Sequence, residues 1–199
     1  TNLSLKEAMI YGTGGLTAAL CIQKLEKMGA CPEDGPVAVT GATGGVGSIS
    51  VALLKQLGYS VVAFSGKPEQ TEHLKSIGAD EVLHRDSLNE VADLPMGKEK
   101  WAHGIDTLGG DYLSNLLKQI KSGGGVSACG LAASDSFSST VYPFIIRGVS
   151  LLGIDSVYIP LKDKQHIWQL VASDMKLQKE NNDPLISGVT TAVTFAQRN

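Results

Sequence analysis

Residues 39–68 read VTGATGGVGSISVALLKQLGYSVVAFSGKP. The run Val37-Ala-Val-Thr40 has the β-branched content of a strand, and the segment from Ser48 to Leu57 has helical spacing in Ile49, Val51, Ala52, Leu53, Leu54 and Leu57. Between them lie Gly41, Gly44, Gly45 and Gly47. A phosphate-binding βα turn makes three demands that glycine meets because it lacks a Cβ. The chain must turn tightly, the backbone must approach the ligand closely, and the helix must pack against the strand. Helix N-terminal amides and the macrodipole then supply positive potential. Ala42-Thr-Gly44-Gly-Val-Gly47 is A-x-G-x-x-G, one small residue short of the dinucleotide pattern. Alone it would serve equally as a structural turn; set between strand and helix it predicts a site for a dinucleotide pyrophosphate. The turn has no G-K-[ST] lysine, which argues against a nucleoside-triphosphate loop.

The second strand, Tyr59–Phe64, ends where an NAD site places Asp or Glu to accept from the ribose 2′-hydroxyl. Here the chain has Ser65-Gly66-Lys67 instead. A carboxylate would repel a 2′-phosphate; a hydroxyl, backbone room and an ammonium suit one. The expected ligand is therefore NADPH. One charge-assisted contact of this kind is worth about 1.5–3 kcal/mol, roughly 10- to 150-fold in affinity. A solvated turn lysine is the plainer reading of Lys67. Arg85 lies just beyond the third strand, Glu81–His84, and reads either as a second cation for the phosphate or as a surface arginine paired with Asp86.

Outward from this unit the alternation continues. Ser4-Leu-Lys-Glu7 has the S-x-x-E form of a capping box and opens a short apolar helix through Ile10, which Gly12-Thr-Gly-Gly15 breaks before a second helix reaches about Met28. Pro68 suits the first turn of a helix that Gly78 ends, and Asp86 is a candidate cap for another short helix. Further strands are expected at Ala102–Thr107, Val126–Cys129 and Val149–Ile154, with helices around Leu113–Ile120 and from Leu161 to about Gln178. Six strands alternating with helices predict an α/β fold, a Rossmann-type doubly wound parallel sheet with helices on both faces. Residues 1–30 read as linker and lead-in helices, 31–180 as the NADP-binding domain, and 181–199 as a return segment toward another domain.

The 199 residues suffice for one good domain. With 43% hydrophobic residues, 19% charged and a formal net charge of −3, the chain carries no global basic field for nucleic acid or an anionic membrane. No apolar run approaches the length of a membrane span. Cys21, Cys31 and Cys129 are odd in number and far apart, so no disulfide framework is expected and a cytoplasmic location is the simplest. His73, His84, His103 and His166 have no metal-ligand spacing and read as surface or helix residues. Cys129 reads as inert in a buried strand, and Asp106 as a turn cap or a catalytic acid. No catalytic residue is identifiable.

Six stretches carry a family resemblance: EAMIYGTGGLTAALCIQKLE (7–26), the glycine turn with VVAFSGKP, LKSIGADEVLHRD (74–86), IDTLGGDYLSNLL (105–117), ACGLAASDSF (128–137) and TVYPFIIRGVSLLGIDSV (140–157). On these the chain resembles the medium-chain dehydrogenase/reductase superfamily, in its zinc-free, quinone-oxidoreductase-like branch, and most of all the acrylyl-CoA reductase group. The resemblance implies that Thr43, Gly44, Gly45 and Val46 line the pyrophosphate and that Ser65, Gly66, Lys67 and Arg85 hold the 2′-phosphate end. Where the group more often has arginine this chain has Lys67, a point charge in place of a fork. Leu131 and Ile145 would approach the nicotinamide, although read alone both are core residues. The resemblance also implies a second, barrel-like domain, with residues 1–4 as the tail of its linker and Thr190 onward as the return. The activity implied is NADPH-dependent reduction of an activated C=C bond in an enoyl thioester of the acrylyl-CoA type. A quinone or alkenal reductase is the enzymic alternative and a stand-alone NADPH-sensing module the non-enzymic one. Pairing of two copies through the sheet edge, Val149–Ile154, is expected.

Overall fold

A computed structural model of the protein describes residues 3–177. The expected return segment, 181–199, lies outside the described residues, and the last helix, expected to reach about Gln178, ends at Val171. Six strands form one sheet: β1 (Val37–Thr40), β2 (Val61–Ser65), β3 (Glu81–His84), β4 (His103–Asp106), β5 (Gly125–Ala128) and β6 (Ser150–Gly153). Their order is β3-β2-β1-β4-β5-β6 and every neighbouring pair is parallel. This is the Rossmann-type α/β sheet, in which strand order reverses between β1 and β4 and leaves a crevice at their carboxyl ends.

Among the described residues six helices accompany the sheet: α1 (Leu5–Lys27) before it, α2 (Gly45–Gln56), α3 (Thr71–Ser76), α4 (Gly110–Leu117) and α5 (Tyr142–Arg147) between strands, and α6 (Leu161–Val171) after it. The pleat sends alternate residues of each strand to opposite faces. Val37, Val39, Val61, Ala63 and Ile105 pack against α1, α2, α3 and α6. Ala38, Val62, Phe64 and Val126 pack with α4, Leu88, Trp101 and half-buried Phe144 of α5. Phe64 and Trp101 meet edge to face, with centroids 5.5 Å apart and planes at 82°. Both faces are therefore covered, which is why β1 and β2 read as unbroken apolar runs.

Several local expectations change. The two lead-in helices are one element bent at Gly12, whose φ of 49° is left-handed. The capping box at its start is formed: Glu7 N–H donates to Ser4 Oγ (3.2 Å), and Ser4 N–H donates to the Glu7 carboxylate (2.7 Å). After β3 the chain makes a 3₁₀ segment, Arg85–Val91, capped by His84 rather than by Asp86. Asp86 is drawn instead to the hydroxyl of Tyr112 (2.7 Å). His103 is buried in β4 instead of lying on the surface. Its Nε2 lies 3.1 Å from Asp34 and its Nδ1 accepts from Gly125 N–H (3.2 Å), so the ring ties the starts of β4 and β5 together. Cys129 lies just past β5, half-buried, with its thiol 3.4 Å from the Asp106 carbonyl.

The short helix α5 has no counterpart in the sequence reading. Arg147, at its end, donates to the carbonyls of Lys118 (3.0 Å), Ile120 (3.2 Å) and Gly97 (2.6 Å) and faces Glu99 (3.3 Å). This one guanidinium fastens α5 to the turn that precedes β5.

Candidate functional site

The crevice at the carboxyl ends of β1 and β4 is built from two turns locked together. Thr40, the last residue of β1, donates its hydroxyl to Asp106 Oδ1 (2.6 Å) and accepts from Thr107 N–H (3.0 Å). Thr107 returns a hydroxyl bond to the Thr40 carbonyl (3.0 Å). Asp106 also accepts from Gly109 N–H (2.8 Å) and is fully buried. Burial pushes its pKa up, and the bonds from Thr40, Gly109 and Leu108 offset part of that. With its lone pairs engaged on Thr40 and the 108–109 turn, the Asp106 carboxylate holds the turn before α4. Of the two readings of this residue, the geometry gives the cap.

On this frame the glycine turn is shaped by contacts that exclude a side chain. A Cβ at Gly47 would lie 2.3 Å from the Gly41 carbonyl oxygen and 2.8 Å from Ala42 Cα. A Cβ at Gly45, by contrast, would meet nothing within 4 Å. Gly47 thus serves helix–strand packing, while Gly45 leaves open space in front of the turn. Helix α2 starts at Gly45 with Gly44 as its cap residue and no side-chain cap, so its first amides have no protein side chain to satisfy them. Thr43, Gly44, Gly45 and Val46 are all in this segment. The turn fits a pyrophosphate: it has open room at Gly45 and a helix start with no side-chain cap, while Gly44 N–H is spent on the Gly41 carbonyl (2.9 Å).

A second cluster forms where β2 and β3 end side by side, with Ser65 paired to His84 in register. Ser65 is buried, and its hydroxyl accepts from Lys67 N–H (3.0 Å), which fixes the turn that presents Lys67. The Lys67 side chain is exposed, and among the described residues it makes no hydrogen bond or ion pair. The Arg85 side chain reaches across Gly66: a Cβ there would lie 2.9 Å from Arg85 Nε and 3.2 Å from Cζ. The guanidinium sits over the Tyr112 ring, 5.4 Å from its centroid, and its Nε is 3.9 Å from Asp86. The end of β2 thus carries no carboxylate of its own: Arg85 crosses Gly66, Lys67 follows next in the chain, and Asp86 stands on the β3 side of the guanidinium. Sequence reasoning missed Tyr112, because only the fold brings the first turn of α4 to the end of β3.

Leu131 follows β5 at the crevice end of the sheet and is 67% exposed, so it is not a core residue. Ile145 is also exposed, at 72%, but lies on α5, which shares no hydrogen bond with the glycine turn or the Ser65–Arg85 cluster among the described residues. Leu131 Cα lies 3.5 Å from where a Cβ on Gly109 would stand, which brings it to the loop after β4, and Ile145 is exposed on α5 beside Val141, Tyr142 and Ile146 in the chain. Beside α4 a cavity of about 970 Å³ is lined by Tyr112, Asn115, Lys118 and the 133–140 loop. Lys118 donates to the Val91 and Ala92 carbonyls and to Asn115 Oδ1 on α4 (2.8–3.1 Å), which ties α4 to the end of the 3₁₀ segment. No group of three or more His, Cys, Asp or Glu side chains that could hold a metal ion occurs among the described residues.

The family model for zinc-binding dehydrogenase matches residues 45–173, from the first amide of α2 to beyond α6. The chain belongs to this family. YhfP of Bacillus subtilis, which carries a quinone-oxidoreductase name, is 49% identical over 175 residues, covering 88% of this chain and 53% of YhfP. The acrylyl-CoA reductase AcuI of Ruegeria pomeroyi is 45% identical over 178 residues, 89% of this chain and 54% of AcuI. Among solved structures, Escherichia coli K-12 YhdH with bound NADPH superposes with a TM-score of 0.89 at 43% identity, covering 99% of this chain and 60% of YhdH. YhfP, solved with NAD bound, superposes equally well, at 0.89 and 42% identity, over 99% of this chain and 62% of YhfP. The chain spans about half the length of the curated relatives it matches.

Proposed function

We propose that this chain is the NADPH-binding part of a reductase that acts on an activated C=C bond, an enoyl thioester of the acrylyl-CoA type. The observation that carries the cofactor assignment is the Arg85 side chain lying against Gly66 at the end of β2, where a carboxylate would serve NAD. Thr43 to Val46 bind the pyrophosphate on the amides of α2, and Ser65 shapes the turn that points Lys67 at the 2′-phosphate. Leu131 shields the nicotinamide end. NADPH, when bound, supplies a hydride; this chain's residues hold and orient it. The proton for the second carbon comes from the barrel-like domain that the resemblance implies, from water or from the substrate edge. YhdH binds NADPH and AcuI is named for acrylyl-CoA, which supports this reading.

The quinone-oxidoreductase name of YhfP and its bound NAD favour a second reading, a quinone reductase of the same branch. The two separate in one assay, using a protein of the relatives' full length that contains this sequence. NADPH oxidation with acrylyl-CoA exceeding that with a benzoquinone supports the enoyl reading; the reverse order supports the second.

Three further points belong to the proposal. Two copies pair through β6, the sheet edge, which has a partner strand on one side only. The enzyme works without zinc, in keeping with the dispersed Cys and His residues of this chain. It resides in the cytoplasm, where three free thiols persist and where the absence of a helix long and apolar enough to cross a membrane among the described residues is in keeping.

A further inference from the structure

Tyr112 lies 27 positions beyond Arg85, within the stretch IDTLGGDYLSNLL, and its side chain closes the far side of the cationic cluster. Arg85 leaves the end of β3, crosses Gly66 at the end of β2, and ends over the Tyr112 ring on the first turn of α4. The guanidinium makes no hydrogen bond among the described residues; its one ion-pair contact, to Asp86, is long at 3.9 Å. The Tyr112 hydroxyl donates to that same carboxylate at 2.7 Å. Asp86 is thereby drawn into a short bond with the phenol and held in a loose one with Arg85. The ring meanwhile supplies a face within the range of a cation–π contact. The guanidinium is thus fixed in place with its donors unspent. An arginine needed for a bidentate grip on a phosphate monoester has to be held in this way, because an unheld side chain loses rotamer freedom on binding.

We propose that Tyr112 is a positioning residue for cofactor selection: it holds Arg85 against Gly66 so that the guanidinium receives the ribose 2′-phosphate. The inference rests on the NADPH reading of the site and adds to it a residue outside the glycine turn and the Ser65–Lys67 segment. Two consequences distinguish it from a packing role. Removing the ring weakens NADPH and spares NADH, and the effect vanishes once Arg85 is gone.

The test is a double-mutant cycle on the 199-residue chain, with dissociation constants for NADPH and NADH read by fluorescence. Tyr112→Leu is expected to weaken NADPH by about 3- to 20-fold and NADH by less than about 2-fold. Tyr112→Phe keeps the ring and is expected to retain most of the selectivity. In an Arg85→Ala background Tyr112→Leu should have no further effect on NADPH, a coupling that mere packing does not produce. Selectivity unchanged by Tyr112→Leu overturns the positioning role and leaves the NADPH reading standing. A parent chain that binds the two cofactors equally overturns both. Should Tyr112→Leu fail to fold, Tyr112→Trp carries the test: an aromatic face without the phenol keeps selectivity if the ring is what holds Arg85, and an unselective, folded Tyr112→Trp contradicts it.

Discussion

Lys67 and Arg85 divide the phosphate end of the crevice between a point charge and a planar fork. Lys67 stands in solvent with no protein partner among the described residues, whereas Arg85 is fixed between Gly66 and Tyr112. Lys67→Ala is therefore expected to reduce NADPH affinity by about tenfold or more and to leave NADH and thermal stability unchanged, read by titration and melting of the same samples. Asp106 makes the opposite kind of contribution. Its buried carboxylate accepts from Thr40 and Gly109, and an amide at the same position offers one acceptor where two oxygens are used. Asp106→Asn should cost about 1–3 kcal/mol in denaturant unfolding. An unchanged midpoint would mean that the turn before α4 is held by the Thr40–Thr107 bonds alone. The residue scale is also where the sequence was least readable. The Ser65-Gly66-Lys67 replacement was visible because it occupies a fixed place after a strand. Tyr112 and Arg147 were not, because their partners lie on elements that only the sheet order brings near.

At the scale of elements, strands and helices were legible because a doubly covered parallel sheet writes itself as short apolar runs between helical periods. All six strands lie where they were expected: β1 and β3 have the expected bounds, β4 and β6 are a residue shorter at each end, and β2 and β5 are displaced by a residue or two. The helix α5 escaped because YPFIIR is six residues with a proline at its second position, too short to show a period. It is held by Arg147 instead, so Arg147→Ala is expected to lower stability by about 2–3 kcal/mol while leaving cofactor affinity within twofold. The junction of α2, β2 and β3 predicts an acid sensitivity. Burial raises the pKa of Asp80, but the Lys55 ammonium and the Val61 N–H (2.8 Å) more than reverse this and hold it below the ordinary value. A carboxyl that is more acidic folded than unfolded adds stability above its unfolded pKa and loses it as pH falls through the folded one. The stability gap between the chain and Asp80→Asn should thus be full above about pH 5 and close progressively below about pH 4. A gap that is constant with pH would show that Lys55 and Val61 do not act on the charge.

For the molecule as a whole, the sheet order places every piece of the site at one end. The glycine turn, the Ser65–Arg85 cluster and Leu131 all follow carboxyl ends of strands, as open α/β sheets require. That much follows from the fold; the alternation of elements foretold a doubly wound parallel sheet, and the structure supplies its strand order. The use of β6 is a separate matter. Its outer edge has no partner strand among the described residues, and a second copy pairing there would cover it. Sedimentation at two concentrations is expected to show a dimer; a strictly monomeric chain at both would remove the pairing. The central claim, that the end of β2 selects a phosphorylated ribose, is reached most directly by fluorescence titration of the chain with NADPH and NADH at low and moderate salt. The account predicts NADPH binding tighter by about tenfold or more at low salt, with the margin narrowing as salt rises. Equal, salt-insensitive binding of the two cofactors would contradict it.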